Sequence, residues 1–516
     1  MTDAIDPVEL TVAQAQAGFA TGTLTSEALT QAFLDRIARY NPHYNAIIFL
    51  NPAALDDARS IDRRRASGEA LGPLAGVPVV VKDTMDMTGF PTTGGWDLLC
   101  SRTGGIDLMP GTDSPVVARM RAAGTVILGK SNVPVLSATG SHANDSWAGP
   151  TLNAAVPDLL PGGSSAGTAT AVAASMAVLG LAEETGGSIQ NPASAQGLVG
   201  IKPSFALVPN AGVMPLAGST RDVMGPIARC VHDAALTLDV LAGFTAEDPK
   251  TIAGVGHRPK HGYTAGLATD ALRGKRLGLY GPGWRDRPLS EEAMELYCRA
   301  KGELEARGAV LVEDPFAGSG FAAIGMPVAG LDHYDARGME CVPYDLGKYL
   351  QRLGPDAAVR SFAAFAAATA KQDAFGPGGV LAFMHQLPDF SACLAAPIHP
   401  PELPSFLAAK EAYLEIFDAV FARERLDALV FPQMRDALPP LHGTETIHET
   451  TVCEINIAGL PGVTIPAGYY ASGAPFGLIF VGRMWSEALL LSLAYDYECA
   501  LKHRRSPTLR TAWDRA

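Results

Sequence analysis

Between residues 77 and 241 the chain alternates short apolar runs with stretches of helical period, and this rhythm limits the fold more than any other feature. Val77–Val81 is followed by a helical stretch near Pro115–Ala123, then by Val126–Leu128 and a helical stretch from Ala166 to about Val178. Leu179–Ala182, Gly197–Ile201 and a helix through His232–Leu241 continue the series. The apolar runs are continuous rather than alternating with polar residues, as in strands covered on both sides. The pattern predicts an α/β fold: a large α/β/α sandwich with a mixed central sheet and helices on both faces.

The flanking segments fit the same plan. Residues 7–41 carry apolar residues at helical spacing, with Ser26 and Glu27 as start signals for a second helix. From about Gly243 to Lys275 the pattern weakens into a surface connection, and residues 275–280 restart as a strand. About Pro282 to Arg425 reads as a mainly helical cap or insertion, rich in Ala and Phe, that shapes substrate access. Ala428–Phe431, Gly462–Pro466 and Gly477–Gly482 supply further strand signals before a last helix, Ser486–Leu501. The expected organisation is one domain over 1–516: an N-terminal helical region (1–70), a core (71–241), the cap (282–425) and a closing part of the core (426–506).

Hydrophobic residues make up 47% of the 516-residue chain and charged ones 18%, a globular profile. The net charge of −13 argues against nucleic acid or an anionic membrane as partner. Met1–Asp6 is acidic and unlike a signal peptide, and no apolar run approaches the ~20 residues needed to cross a bilayer. Seven scattered cysteines without a Cys-x-x-Cys pair read as reduced thiols, and no His/Cys cluster has zinc spacing. These features predict a cytoplasmic protein with no metal and no cofactor; a homodimer stays open.

Two motif matches fail on context. Gly124–Ser131 fits the phosphate-loop pattern, but Thr-Val-Ile-Leu between its glycines prefers strand to the required turn. Gly163-Ser164-Ser165-Ala166-Gly167 fits the nucleophile elbow, yet the preceding residues 155–161 hold two prolines and read as a loop. What remains is a pair of glycine-serine runs and a lysine. In Glu184-Thr185-Gly186-Gly187-Ser188 the glycines serve either a tight turn or a close approach of backbone to ligand, where successive N–H groups can hold an oxyanion. Ser165 reads as a helix cap, whereas Ser164 follows two glycines that free its backbone. Lys82 ends an apolar strand: exposed, it snorkels; buried, it loses its proton more readily and becomes a base, an effect the adjacent Asp83 would oppose.

Five segments in order give these residues a family. Val-Pro-Val-Val-Val-Lys82-Asp, Ile-Leu-Gly-Lys-Ser-Asn132, Pro161–Gly167, Glu-Thr-Gly-Gly-Ser188-Ile and Gly-Ile-Lys202-Pro203 resemble the amidase signature family of Ser–cis-Ser–Lys hydrolases, which cleave C–N bonds. The resemblance spans about 8–241 and resumes at 426–506 with Ala458–Gly468 and Gly482–Glu487. It implies Ser188 as the acylated nucleophile, Ser164 as a relay after a cis peptide bond, and Lys82 as the base. It also implies an oxyanion site at Thr185, Gly186, Gly187 and Ser188, with the carbonyl near Ala138 facing a small amide substrate. Glu184, Gln190 and Ala166 depart from the usual Asp, Arg and Gly, and a Glu184–Gln190 hydrogen bond is expected in place of the carboxylate–guanidinium pair.

The reaction implied is hydrolysis of a carboxylic amide, anilide or carbamate by a stand-alone enzyme. The glutaminase subunit of a tRNA-dependent amidotransferase is the alternative, and a catalytically silent binding protein is a third. The 282–425 segment weighs for the stand-alone enzyme, as a cap of its own. Phe316, Phe321, Met326, Phe362, Phe365, Phe383 and Met384 suit either an apolar pocket or simple packing, and His142 either the site or a surface loop.

Overall fold

A computed structural model describes residues 5–141, 144–329 and 334–511. One mixed sheet of eleven strands organises them. In chain order the strands are β1 (Ile47–Leu50), β2 (Pro78–Lys82), β3 (Val126–Ser131), β4 (Leu179–Glu184), β5 (Val199–Lys202), β6 (Val223–Ala228), β7 (Arg276–Leu279), β8 (Val310–Val312), β9 (Ala428–Pro432), β10 (Gly462–Tyr469) and β11 (Pro475–Val481). Across the sheet they run β1-β3-β2-β4-β6-β5-β10-β11-β9-β7-β8. The β3-β2-β4 and β9-β7-β8 neighbours pair parallel, and the other pairs are antiparallel.

Strand alternation shows that both faces are buried. In β9, Ala428 and Val430 enter one hydrophobic core while Leu429 and Phe431 enter a second; in β11, Leu478 and Phe480 divide from Ile479 and Val481 in the same way. Successive strand residues point to opposite faces, so the two cores lie on opposite sides of the sheet. The helices behave as their termini dictate. Thr11 caps Val12–Thr21 by a capping box with Gln14. Thr25 caps Ser26–Tyr44 by accepting from the Ala28 N–H, so Ser26 is the first helical residue and not the cap. Ser114 caps Pro115–Ala122, whose proline sits where no N–H is needed.

Three strands escape a reading by pattern. β1 has four residues and lies within the expected helical region. β6 carries Gly225 and Pro226, which interrupt the run that would announce a strand. β8 joins the sheet from inside the expected insertion, whose described residues are free of strands only after Val312. The helix expected to reach Val178 stops at Ala173, because the chain must reverse through Ser175, at φ 53°, to enter β4 at Leu179. Among the described residues, no helix is long and apolar enough to cross a membrane.

Candidate active site

The parallel pairing of β2 with β4 sets Val81 opposite Leu181, so Lys82 and Glu183 emerge together at the same end of the sheet. Lys82 is fully buried. Its Nζ donates to Ser164 Oγ at 2.7 Å, to the Glu183 carbonyl at 3.1 Å and to Glu183 Oε2 at 2.7 Å. Burial lowers the lysine pKa, and the Glu183 carboxylate is the largest influence opposing it. Asp83, the neighbour expected to hold the lysine charged, is engaged elsewhere: it pairs with Lys130 at 3.2 Å and accepts from the Thr93 N–H at 3.1 Å.

The two glycine-serine runs are brought together through the helix Gln190–Ala195. Gly163 donates its N–H to Asn191 Oδ1 at 2.8 Å, and Gly162 packs so closely on Pro192 that a Cβ there would lie 2.4 Å from its Cα. The Gly163–Ser164 peptide is cis. Ser165 stands at the cap position of Ala166–Ala173 but does not cap it; its hydroxyl lies 3.3 Å from the Glu183 carbonyl. The expected cap is thus corrected: the Ser165 hydroxyl is drawn to the β4 backbone rather than to its own helix.

Ser188 follows β4 in the loop Thr185–Ile189 and is 8% exposed, against 0% for Lys82 and Ser164. Gly187 has φ 93°, a conformation that needs glycine. Gly186 and Gly187 are also packed from above. A Cβ on Gly186 would lie 2.6 Å from the Tyr334 ring, and one on Gly187 2.7 Å from the Glu449 carboxylate. Among the described residues no hydrogen bond joins Ser164 to Ser188. Ala138 ends the turn Val135–Ser137, on the loop whose Gly140 carbonyl packs against Gly163. His142 lies outside the described residues.

Glu184 takes the arrangement expected of it. One oxygen accepts from the backbone N–H groups of Ile189 (2.8 Å) and Gln190 (3.1 Å), and the other from the Gln190 side-chain amide and Asn456 Nδ2 (2.9 Å). Among the described residues no arginine substitutes for Gln190 there; Arg221 instead donates Nε to the Thr185 carbonyl at 3.0 Å and bonds the Tyr334 hydroxyl and the Asp335 and Arg337 carbonyls. Sequence reading passed over Glu183, Arg221, Tyr334 and Glu449. Glu183 looks like the end of a strand, and the others come from loops whose approach is purely tertiary. Of the cap aromatics, Phe316 and Phe321 pack on Trp284 with ring centroids 5.0 and 4.4 Å away, and Phe365 and Met384 are buried in the same core.

Comparison with known proteins fixes the family. The model of the family described as Amidase matches residues 28–337. The chain belongs to the amidase family. As a member of this amidase signature group it is an enzyme acting on amide C–N bonds. It is 32% identical over 502 residues to the A-type subunit of the glutamyl-tRNA(Gln) amidotransferase of Moorella thermoacetica, covering 95% of this chain and 96% of that protein. A probable amidase of Arabidopsis thaliana is 30% identical over 510 residues, 97% of this chain and 91% of that one. The crystal structure of native peptide amidase from Stenotrophomonas maltophilia superposes with a TM-score of 0.81 at 34% identity, over 98% of this chain and 99% of that one. These lengths correct one inference: the amidotransferase protein aligns along nearly the whole chain, so the 282–425 segment does not single out a stand-alone enzyme.

Proposed function

We propose that this amidase-family protein is a stand-alone serine amidohydrolase in which Ser188 is acylated, Ser164 relays protons and Lys82 is the base. The buried Lys82 amine, 2.7 Å from Ser164 Oγ, carries the catalytic roles, and the whole-length similarity to the Stenotrophomonas maltophilia peptide amidase supports an amidase over an amidotransferase subunit. A neutral Lys82 accepts the Ser164 proton as Ser164 takes that of Ser188, and Ser188 Oγ attacks the amide carbon. Backbone N–H groups of Thr185, Gly186, Gly187 and Ser188 receive the oxyanion, and the Ala138 carbonyl faces the substrate. The proton returns through Ser164 to the leaving nitrogen, and water then releases the acid by the same route. In this proposal the chain works as one domain, with 71–241 and 426–506 forming the core and 282–425 shaping access. Its partners are a small amide and water.

The test is a panel of chromogenic anilides, aliphatic amides, peptide amides and carbamates, with glutamine alongside, given to the purified protein alone. Turnover of an amide other than glutamine is expected; activity on glutamine alone supports the amidotransferase reading, which the whole-length similarity to the Moorella thermoacetica protein favours. Ser188→Ala and Lys82→Ala are expected to abolish turnover without changing the far-ultraviolet circular dichroism. Near-normal turnover by Lys82→Ala at neutral pH removes lysine from the mechanism.

A further inference from the structure

The lysine pocket contains more acid than a base needs. Behind Lys82, the second oxygen of Glu183, Oε1, lies 3.1 Å from Thr185 Oγ1, and that same hydroxyl oxygen lies 2.6 Å from Asp222 Oδ1. Glu183, Thr185 and Asp222 are all buried. A threonine hydroxyl has one proton to give. Both contacts are hydrogen bonds only when one of the two carboxyls is itself protonated and donates to Thr185. Asp222 suits that role: Glu183 abuts the Lys82 amine, whereas Asp222 is pushed up to about 7, by burial first and by the Glu183 charge second. Its Oδ2 still accepts from the N–H groups of Leu216 (3.0 Å) and Ala217 (2.9 Å). The chain therefore runs Asp222–H to Thr185, Thr185–H to Glu183 and, in the ammonium form, Lys82 to both Glu183 and Ser164; in the free amine the Ser164 hydroxyl donates to Lys82 instead.

We propose that Glu183 is a positioning residue for the base: a counter-ion, kept in place by Thr185 and protonated Asp222, that orients Lys82 toward Ser164 and sets the pH at which Lys82 becomes a free amine. The proposal rests on the reading of Lys82 as the base. When Ser188 attacks, its O–H breaks, a new O–H forms on Ser164 as the old one breaks, and an N–H forms on Lys82. The resulting ammonium meets an anion already in place, so no reorganisation is needed as charge develops. The acidic groups whose charge acts on Lys82 are Glu183, which contacts it, Asp222 from the segment before β6, and Glu184 from β4. Arg221, beside Asp222, is committed to the Thr185 carbonyl, and on β3 Lys130 is paired with Asp83.

The test follows the rate of Ser188 labelling by a fluorophosphonate against pH, in the full-length protein, for wild type, Glu183→Gln, Glu183→Asp, Asp222→Asn and Lys82→Ala. Removing a neighbouring opposite charge lowers a lysine pKa, so in Glu183→Gln the acid limb of the profile should move about 1 unit or more to lower pH. The plateau rate should fall about tenfold, as expected when charge stabilisation is lost. Glu183→Asp should return the limb to within about half a unit of wild type, on the same charge argument. An amide at 222 can donate to Thr185 as the protonated acid does, so Asp222→Asn should leave the limb within about half a unit. A limb unmoved or raised in Glu183→Gln, in protein with wild-type thermal unfolding, overturns the proposal. Should that variant not fold, a limb displaced by more than about 1 unit in Asp222→Asn overturns it instead. Lys82→Ala separates the two readings: labelling as fast as wild type defeats Lys82 as the base, whereas its loss beside an unmoved Glu183→Gln limb defeats Glu183 alone.

Discussion

Ser164 and Ser165 are adjacent, equally buried and chemically identical, yet their hydroxyls meet different partners: the Lys82 amine for one, the Glu183 carbonyl for the other. A proton relay removed costs about 10²–10⁴ in rate, whereas one neutral hydrogen bond contributes about 1 kcal/mol to stability. Ser164→Ala should therefore lower kcat/KM by at least ~10²-fold, and Ser165→Ala should leave it within a few-fold. Steady-state kinetics on the best substrate of the panel checks both. At this scale the sequence was informative where motif context constrained it, as with Lys82 and the two serine runs. It was silent on Glu183, whose partner Lys82 is 101 residues away in the chain and which reaches Asp222 only through Thr185.

The formal phosphate-loop match resolves into β3, as the β-propensity of its middle residues requires. Its Gly129 serves strand packing: a Cβ there would lie 2.1 Å from the Phe49 carbonyl oxygen of β1. Gly129→Ala should cost about 1–3 kcal/mol, read as a lower urea midpoint, by forcing β1 away. Lys202 closes β5 and donates to the Leu460 carbonyl at 2.7 Å, tying the strand to the chain that enters β10. Burial lowers its pKa to about 8 from the ordinary 10.5. Between those values the unfolded chain holds a proton that the folded one lacks, so this group makes stability rise with pH across the window, while below it the charged lysine is penalised. Comparing denaturation of wild type and Lys202→Met at about pH 7.5 and 9.5 should show this rise in wild type and its loss in the variant. The short or interrupted strands β1, β6 and β8 were illegible because their stability comes from neighbours across the sheet.

Residues 321–324, Tyr413 and Glu454 are joined at whole-molecule scale by one buried guanidinium. Arg285 pairs with Glu454 Oε1 at 2.7 Å, reaches the Tyr413 hydroxyl at 2.6 Å, and donates to the carbonyls of Phe321, Ala322 and Ile324. Glu454 lies in the first turn of the helix Cys453–Ala458, whose Asn456 donates to Glu184 beside the Ser188 loop, so the helical segment and the site share a support. Arg285→Met leaves a buried carboxylate unpaired and should destabilise the protein by about 3–5 kcal/mol in chemical denaturation. Pairing it with Glu454→Gln should restore part of that loss, because the stranded charge is gone.

The sequence alone determined the α/β class, because continuous apolar runs between helical segments can be buried only in a sheet covered on both faces. It also determined the three residues on which the catalytic proposal rests, because they stand in five ordered motifs. Tertiary structure alone decided what surrounds them. Parallel pairing of β2 with β4 placed Glu183 against Lys82, a loop delivered Asp222 behind it, and Tyr334 and Glu449 came over the Ser188 glycines. Periodicity records which way a side chain faces, whereas the protonation of a buried amine depends on charges that only the fold brings within a few ångströms.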